Sequence, residues 1–239
     1  MQDNRFASPS SASATSIDVG LRNYMLGVYN YMTTALAITG LAAFGMKMAA
    51  QASPSFAQVV FGSPLIYLIM FAPLGLVMWL GMGIQNMSSS KARTIFYVFA
   101  ALMGSSLSSI LLTYTGASVA RAFFITAGAF AGLSIYGYST KRDLSAFGAF
   151  LVVGVIGLLL ASIVNIFVAS AQFEFLISVV GVLLFAGLTA FDTQKIKSMY
   201  YAGDNKDVAA KKSIHGALTL YLDFINMFLF LIRLIGNRE

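Results

Sequence analysis

GLTAFDTQKIK, from Gly187 to Lys197, and HGALTLYLDFINMFLFLIRLIG, from His215 to Gly236, decide how this chain is read. Each is an apolar run with one aspartate set into it: Asp192 in the first, Asp223 in the second. An ionisable group at the centre of a bilayer costs about 2.5–3.5 kcal/mol on insertion scales, so such a residue marks a functional site by default. No other acidic residue in the chain is placed this way.

The composition around these stretches is that of a membrane protein. Of the 239 residues, 58% are hydrophobic and only 10% charged, against about 25% charged in an ordinary soluble domain. Cysteine is absent, which removes disulfides, thiol chemistry and cysteine-based metal sites. One histidine, His215, excludes a His-rich zinc or haem site. The net charge of +6 reflects Lys and Arg retained on the cytoplasmic side of a membrane rather than a nucleic-acid partner.

A membrane-crossing helix needs about 20 mainly apolar residues. Seven stretches qualify: Leu26–Met46, Leu65–Ile84, Ile95–Tyr114, Val119–Tyr138, Ala146–Phe167, Phe175–Gln194 and Ile214–Ile235. The fold class is therefore an all-α polytopic membrane protein. Residues 1–23, rich in Ser and Ala, read as a flexible cytoplasmic tail without the apolar core of a signal peptide. Residues 24–239 form the seven-helix transmembrane domain, with short connections except between the sixth and seventh spans. Pro73 predicts a kink in the second span. Gly128 and Gly132 in the fourth span, with Gly154 and Gly157 in the fifth, predict close helix packing within the chain; a dimer face is the other use of such positions. Ser105, Ser106, Ser108 and Ser109 in the third span serve helix–helix hydrogen bonding or line a polar path.

Eleven of the fifteen Lys and Arg residues fall on the side of the N-terminus. The positive-inside rule then puts the N-terminus in the cytoplasm and the C-terminus outside. A last segment that dips in and returns would leave the C-terminus inside, and the charge count alone does not separate the two. Arg121 and Arg233, near the far ends of their spans, snorkel to the interface. Lys141, Arg142 and Asp143 read as a solvated loop, and His215 as an interfacial histidine.

Thr219, Asp223 and Asn226 fall at i, i+4 and i+7, one polar stripe on an apolar helix. Thr189 and Asp192 share a face three residues apart. Asp192 lies near the cytoplasmic end of its helix and Asp223 about nine residues into a helix starting on the same side. At about 1.5 Å per residue they reach one depth if the start of the seventh span projects into the headgroups. Asp192 has a second reading, as a helix-end residue in headgroup water; Asp223, apolar on both sides, is harder to place in water. Two adjoining carboxylates cannot both ionise cheaply, so the pair titrates as a unit. A shared proton favours a closed state, and its loss leaves two charges that draw in a cation. Oxygen ligands of this kind suit Ca²⁺, so Asp192 and Asp223 are also the metal-ligating candidates, with Thr189, Thr219 and Asn226 as a supporting polar face.

GLTAFDTQKI (Gly187–Ile196), AFFITAGAF (Ala122–Phe130), GLSIYGYSTKRDLS (Gly132–Ser145) and the LYLDFINMFLFLIRLIG of the last span together resemble the Bax inhibitor-1 family, and its bacterial members in particular. The resemblance implies a seven-helix bundle with the last helix at its centre. It also implies a pH-sensitive passive leak of Ca²⁺ controlled by an aspartate pair, here Asp192 and Asp223. Some members carry a basic residue in the second span; this sequence has none between Pro64 and Gln85.

The function expected is a passive cation leak in a bacterial inner membrane, with Ca²⁺ and protons as its ligands and no cofactor. The alternative is a non-transporting regulator that binds a membrane protease or another integral membrane partner. An enzyme is not expected. Leu220, Tyr221 and Leu222 precede Asp223 where an intramembrane aspartyl protease carries Gly-x-Gly, and no Pro-Ala-Leu follows. The seventh span also has no lysine to hold retinal.

Overall fold

The computed structural model describes residues 11–238, with side chains from residue 19 onward. Eight α-helices occur among them: α1 (Ser11–Ala52), α2 (Pro54–Phe61), α3 (Leu65–Gly83), α4 (Ser89–Thr113), α5 (Gly116–Ser139), α6 (Ser145–Val168), α7 (Ala171–Ser198) and α8 (Lys206–Ile235). All but α2 are long and apolar enough to cross a membrane.

Small polar residues set where the helices begin. Ser53, Ser88, Thr115, Ser170 and Asn205 each accept a hydrogen bond from a backbone N–H in the first turn of the helix that follows. These are the residues that satisfy the orphan donors of a helix start. Ala169, in the left-handed conformation at φ 52°, closes α6. Pro73 is buried inside α3, which runs through it without a break.

The seven expected spans are present, and several are longer than their apolar runs. The largest difference is α1. It begins at Ser11, so residues 11–23 are helical rather than a flexible tail; residues 1–10 of that expected tail lie outside the described residues. The reason is a helical spacing of apolar residues: Leu21, Tyr24, Met25 and Val28 join the main core. At about 1.5 Å per residue the 42-residue helix is roughly 63 Å long, more than the ~30 Å of hydrocarbon it crosses. The connection from the first to the second span is likewise not a plain loop, because Ser53 and Pro54 start the short helix α2.

α8 is the central element. It packs against α1, α4, α5 and α7 and supplies residues to every apolar cluster of the core: Tyr221 and Phe224 to one, Met227 to the second, Ile232 to the third. Over its apolar window 56% of residues are buried, against 11% in α3 and α6 at the periphery. Tyr221, fully buried, meets Phe96 and Phe99 edge to face. Its hydroxyl lies 2.7 Å from Thr39 Oγ1, which donates in turn to the Ala35 and Ala100 carbonyls. That relay ties α8, α1 and α4 together.

α8 also reaches both ends of the bundle. At its start Asp207 accepts from the Ser89 amide and Lys211 donates to the Gln85 carbonyl. Past its end the Asn237 amide donates to Ser118 Oγ, and the Asn237 carbonyl accepts from the Thr115 amide. The last helix therefore crosses the bundle and does not turn back, and the N-terminal part of α1 and the C-terminus lie at opposite ends.

Of the four glycines expected to bring helices together, only Gly154 does. A Cβ at Gly128, Gly132 or Gly157 would meet nothing within 4 Å, so these face outward and no chain segment packs on them. The close approaches are at Gly104, where a Cβ would run into the Thr39 carbonyl of α1, and Gly137, where it would run into the Ala190 carbonyl of α7; Gly154 does pack, against Leu184. The serine cluster of α4 corrects the expectation in another way: Ser105, Ser108 and Ser109 donate to carbonyls of their own helix, not to neighbours. Gly104→Val should lower stability by roughly 1–3 kcal/mol through overpacking, while Gly128→Val should be nearly neutral. Unfolding midpoints of the two variants in mild detergent check this.

Candidate functional site

The site is built on the last turns of α7 and the middle of α8, which pack along each other. Asp192 and Asp223 are 9% and 4% exposed, and their carboxyl groups adjoin, within reach of a shared proton. α7 runs on past Asp192 to Ser198, so Asp192 lies inside the helix and does not cap it in headgroup water. The two depths match because α8 starts at Lys206, two turns before its apolar run, and its charged first turns stand beyond the end of α7.

Asp223 Oδ2 is buried and has no hydrogen-bond partner among the described residues. An unpaired buried carboxyl oxygen is costly, and the ionisable group beside Asp223 is another acid, Asp192. Lys195, one turn from Asp192 on α7, is close enough that its charge acts on both Asp192 and His215. His215 lies two turns before Asp223 on α8, with Nδ1 buried and unpartnered. The acid pair thus has Lys195 one turn along α7 and His215 two turns back along α8.

The hydrogen bonds of Thr189, Thr219 and Asn226 turn home. Thr189 donates to the Phe185 carbonyl, Thr219 to that of His215, and Asn226 Nδ2 to that of Leu222, at 2.8, 3.1 and 2.8 Å. None is hydrogen-bonded to either aspartate, which leaves the pair with few polar neighbours. Donation to a carbonyl of the preceding turn is the usual way a hydroxyl is satisfied inside an apolar helix.

The residues after Asp192 fasten α7 in place, a role not apparent from the sequence. Thr193, fully buried, donates to the Thr189 carbonyl at 2.7 Å and lies 3.4 Å from Ser134 of α5. Gln194 works as a fork. Its Oε1 accepts from the Leu144 amide at 2.9 Å and its Nε2 donates to the Arg142 carbonyl at 2.8 Å. Ile196 is buried against Gly216 of α8. Lys197 donates to the Tyr138 carbonyl and stands 4.8 Å above the Tyr138 ring. One run of residues thus touches α5, α8 and the α5–α6 loop at once. In that loop Asp143 is fully exposed, and hydrogen bonds from the Ser145 side chain and amide hold its carboxyl below the usual carboxylate range.

The donor set does not make a resident metal centre. No group of three or more His, Cys, Asp or Glu side chains occurs among the described residues. Ca²⁺ takes about 6–8 oxygens, and two carboxylates supply at most four.

Known proteins match over nearly the whole chain. The family model described as "Inhibitor of apoptosis-promoting Bax1" covers residues 21–239. An uncharacterized protein of Rickettsia prowazekii is 49% identical over 94% of this chain and 93% of its own length. The inner membrane protein YbhL of Escherichia coli K12 is 46% identical over 97% of this chain and 98% of its own. An uncharacterized protein of Caulobacter vibrioides is 43% identical over 97% and 95%. Gln194→Ala should free the α5–α6 loop at a cost of about 1 kcal/mol, or roughly fivefold faster amide exchange at Leu144. Hydrogen-exchange mass spectrometry of that loop reads this, with Ser198→Ala as the control.

Proposed function

Because this chain belongs to the Bax inhibitor-1 family, we propose that it is a passive Ca²⁺ leak in a bacterial inner membrane, opened and closed by the protonation of Asp192 and Asp223. One observation carries the reading: two buried carboxyl groups adjoin where α7 and α8 pack, and Asp223 Oδ2 has no hydrogen-bond partner among the described residues. Such a pair is stable only in company with a proton or a cation.

With a proton between them, the two acids hold α7 against α8 and the bundle stays shut. When that proton leaves, two like charges adjoin in a low-dielectric interior, and their repulsion is relieved by separation, by water or by a divalent ion. A Ca²⁺ drawn to the pair is cargo. It meets too few oxygens to be trapped, which is what a leak requires. In this reading the chain is not an enzyme and needs no cofactor. α3 carries no basic residue, so the closed state here is a carboxyl–carboxyl contact with Lys195 one turn from Asp192. The charge asymmetry of the loops supports a cytoplasmic N-terminus and an external C-terminus, which puts the aspartates in the cytoplasmic half.

Purified protein in liposomes loaded with a Ca²⁺ dye tests this. Flux should rise as pH is raised through the range in which the pair loses its shared proton. Asp192→Asn with Asp223→Asn should hold flux at the protein-free level at every pH. A double variant with unchanged flux and unchanged pH response sinks the proposal. A wild type that passes no Ca²⁺ but crosslinks reproducibly to one integral membrane protein supports a regulator instead.

A further inference from the structure

Phe224, next to Asp223 in the chain, is the floor of a groove that the leak does not use. α1 and α5 both pack on α8 but not closely on each other. The space left between them is two adjoining cavities that share Leu36, Phe123 and Phe224 in their walls. The one toward the C-terminal half of α1 has a volume of about 430 Å³. Its lining is apolar except for Thr39 and Lys47. The Thr39 hydroxyl is taken by Tyr221 and two carbonyls. Lys47 is different: the ion pairs among the described residues are Lys211–Asp207, Lys212–Asp204 and Arg238–Glu174, and Lys47 is in none of them. The wall is open at Gly40 and Gly116, where a Cβ would meet nothing within 4 Å.

We propose that this cavity holds an acyl chain of a bilayer phospholipid whose anionic headgroup rests on Lys47. The groove opens sideways between two membrane-crossing helices, so the medium at its mouth is hydrocarbon and a water-borne ligand does not reach it. Its volume lies in the range of about 300–1,000 Å³ typical of small-molecule sites. Lys47 is near the end of α1 at Ala52, at the depth where long cations reach up to the phosphate layer. One cation at the headgroup end of an apolar slot is complementary to one anionic lipid. Phe224 places that lipid against the helix that carries Asp223.

The test is photolabelling of the full chain in nanodiscs of phosphatidylcholine doped with phosphatidylglycerol that carries a diazirine in its acyl chain. Labels mapped by mass spectrometry should concentrate on Leu36, Gly40, Phe123 and Phe228. Lys47→Gln should lower this labelling about fivefold and abolish any preference over a matching phosphatidylcholine probe. Gly40→Leu, which fills the slot, should reduce it to the level seen on the outer face of α6. Should Gly40→Leu fail to fold, competition by unlabelled phosphatidylglycerol in the wild type replaces it. Labels spread evenly over the groove and the α6 face would overturn the proposal, as would labelling indifferent to Lys47→Gln, or a second protein crosslinked into the groove in place of lipid.

Discussion

A carboxylate carried into the interior of a membrane bundle costs about 2.5–3.5 kcal/mol, and this chain carries two to the same place. Asp192 and Asp223 adjoin on α7 and α8, both buried, with Lys195 one turn from Asp192. The one charge that offsets the cost, Lys195, acts on Asp192 from one turn away. The threonines and the asparagine around the pair spend their hydrogen bonds on their own helices. A fold whose stability were the only requirement would place leucine at both positions. In the proposed leak, the state of the pair depends on what else is present: a proton, or a cation.

The rest of the bundle ties this contact to most of the other helices. α8 lies at the centre and meets α1, α4, α5 and α7, so a shift of α8 is felt by four neighbours. One of its anchors is the Tyr221–Thr39 relay to α1 and α4, one turn or less from Asp223. α7 is held by Gln194 to the α5–α6 loop and by Lys197 to the end of α5. The helices that bear the two acids are thus fixed at some points and joined at the acid pair itself, which is the geometry of a latch between two packed elements.

Much of this was legible in the sequence. Seven apolar runs located seven helices, because hydrocarbon thickness fixes the length of a span. The two aspartates stood out because charge inside such a run is rare. What stayed hidden has one physical cause. A helix that is apolar on every side gives no periodicity from which to read its inward face, so Gly128 and Gly132 resembled packing positions when the inward glycines are Gly104 and Gly137. The central place of α8 came from family resemblance and not from its residue pattern. The extra length of α1 was hidden by Ser and Ala residues that suit a tail and a helix equally. The roles of Gln194 and Lys197 depend on which loop lies beside them, and no spacing rule supplies that.

The central claim is that Asp192 and Asp223 titrate as one unit. Carboxyl chemical shifts of ¹³C-labelled aspartates, followed against pH in the full chain in nanodiscs, measure it directly. The account predicts that Asp192→Asn moves the Asp223 titration by more than about one pH unit, with Asp223→Asn doing the same to Asp192. Two aspartates that each titrate identically with and without the other would contradict it.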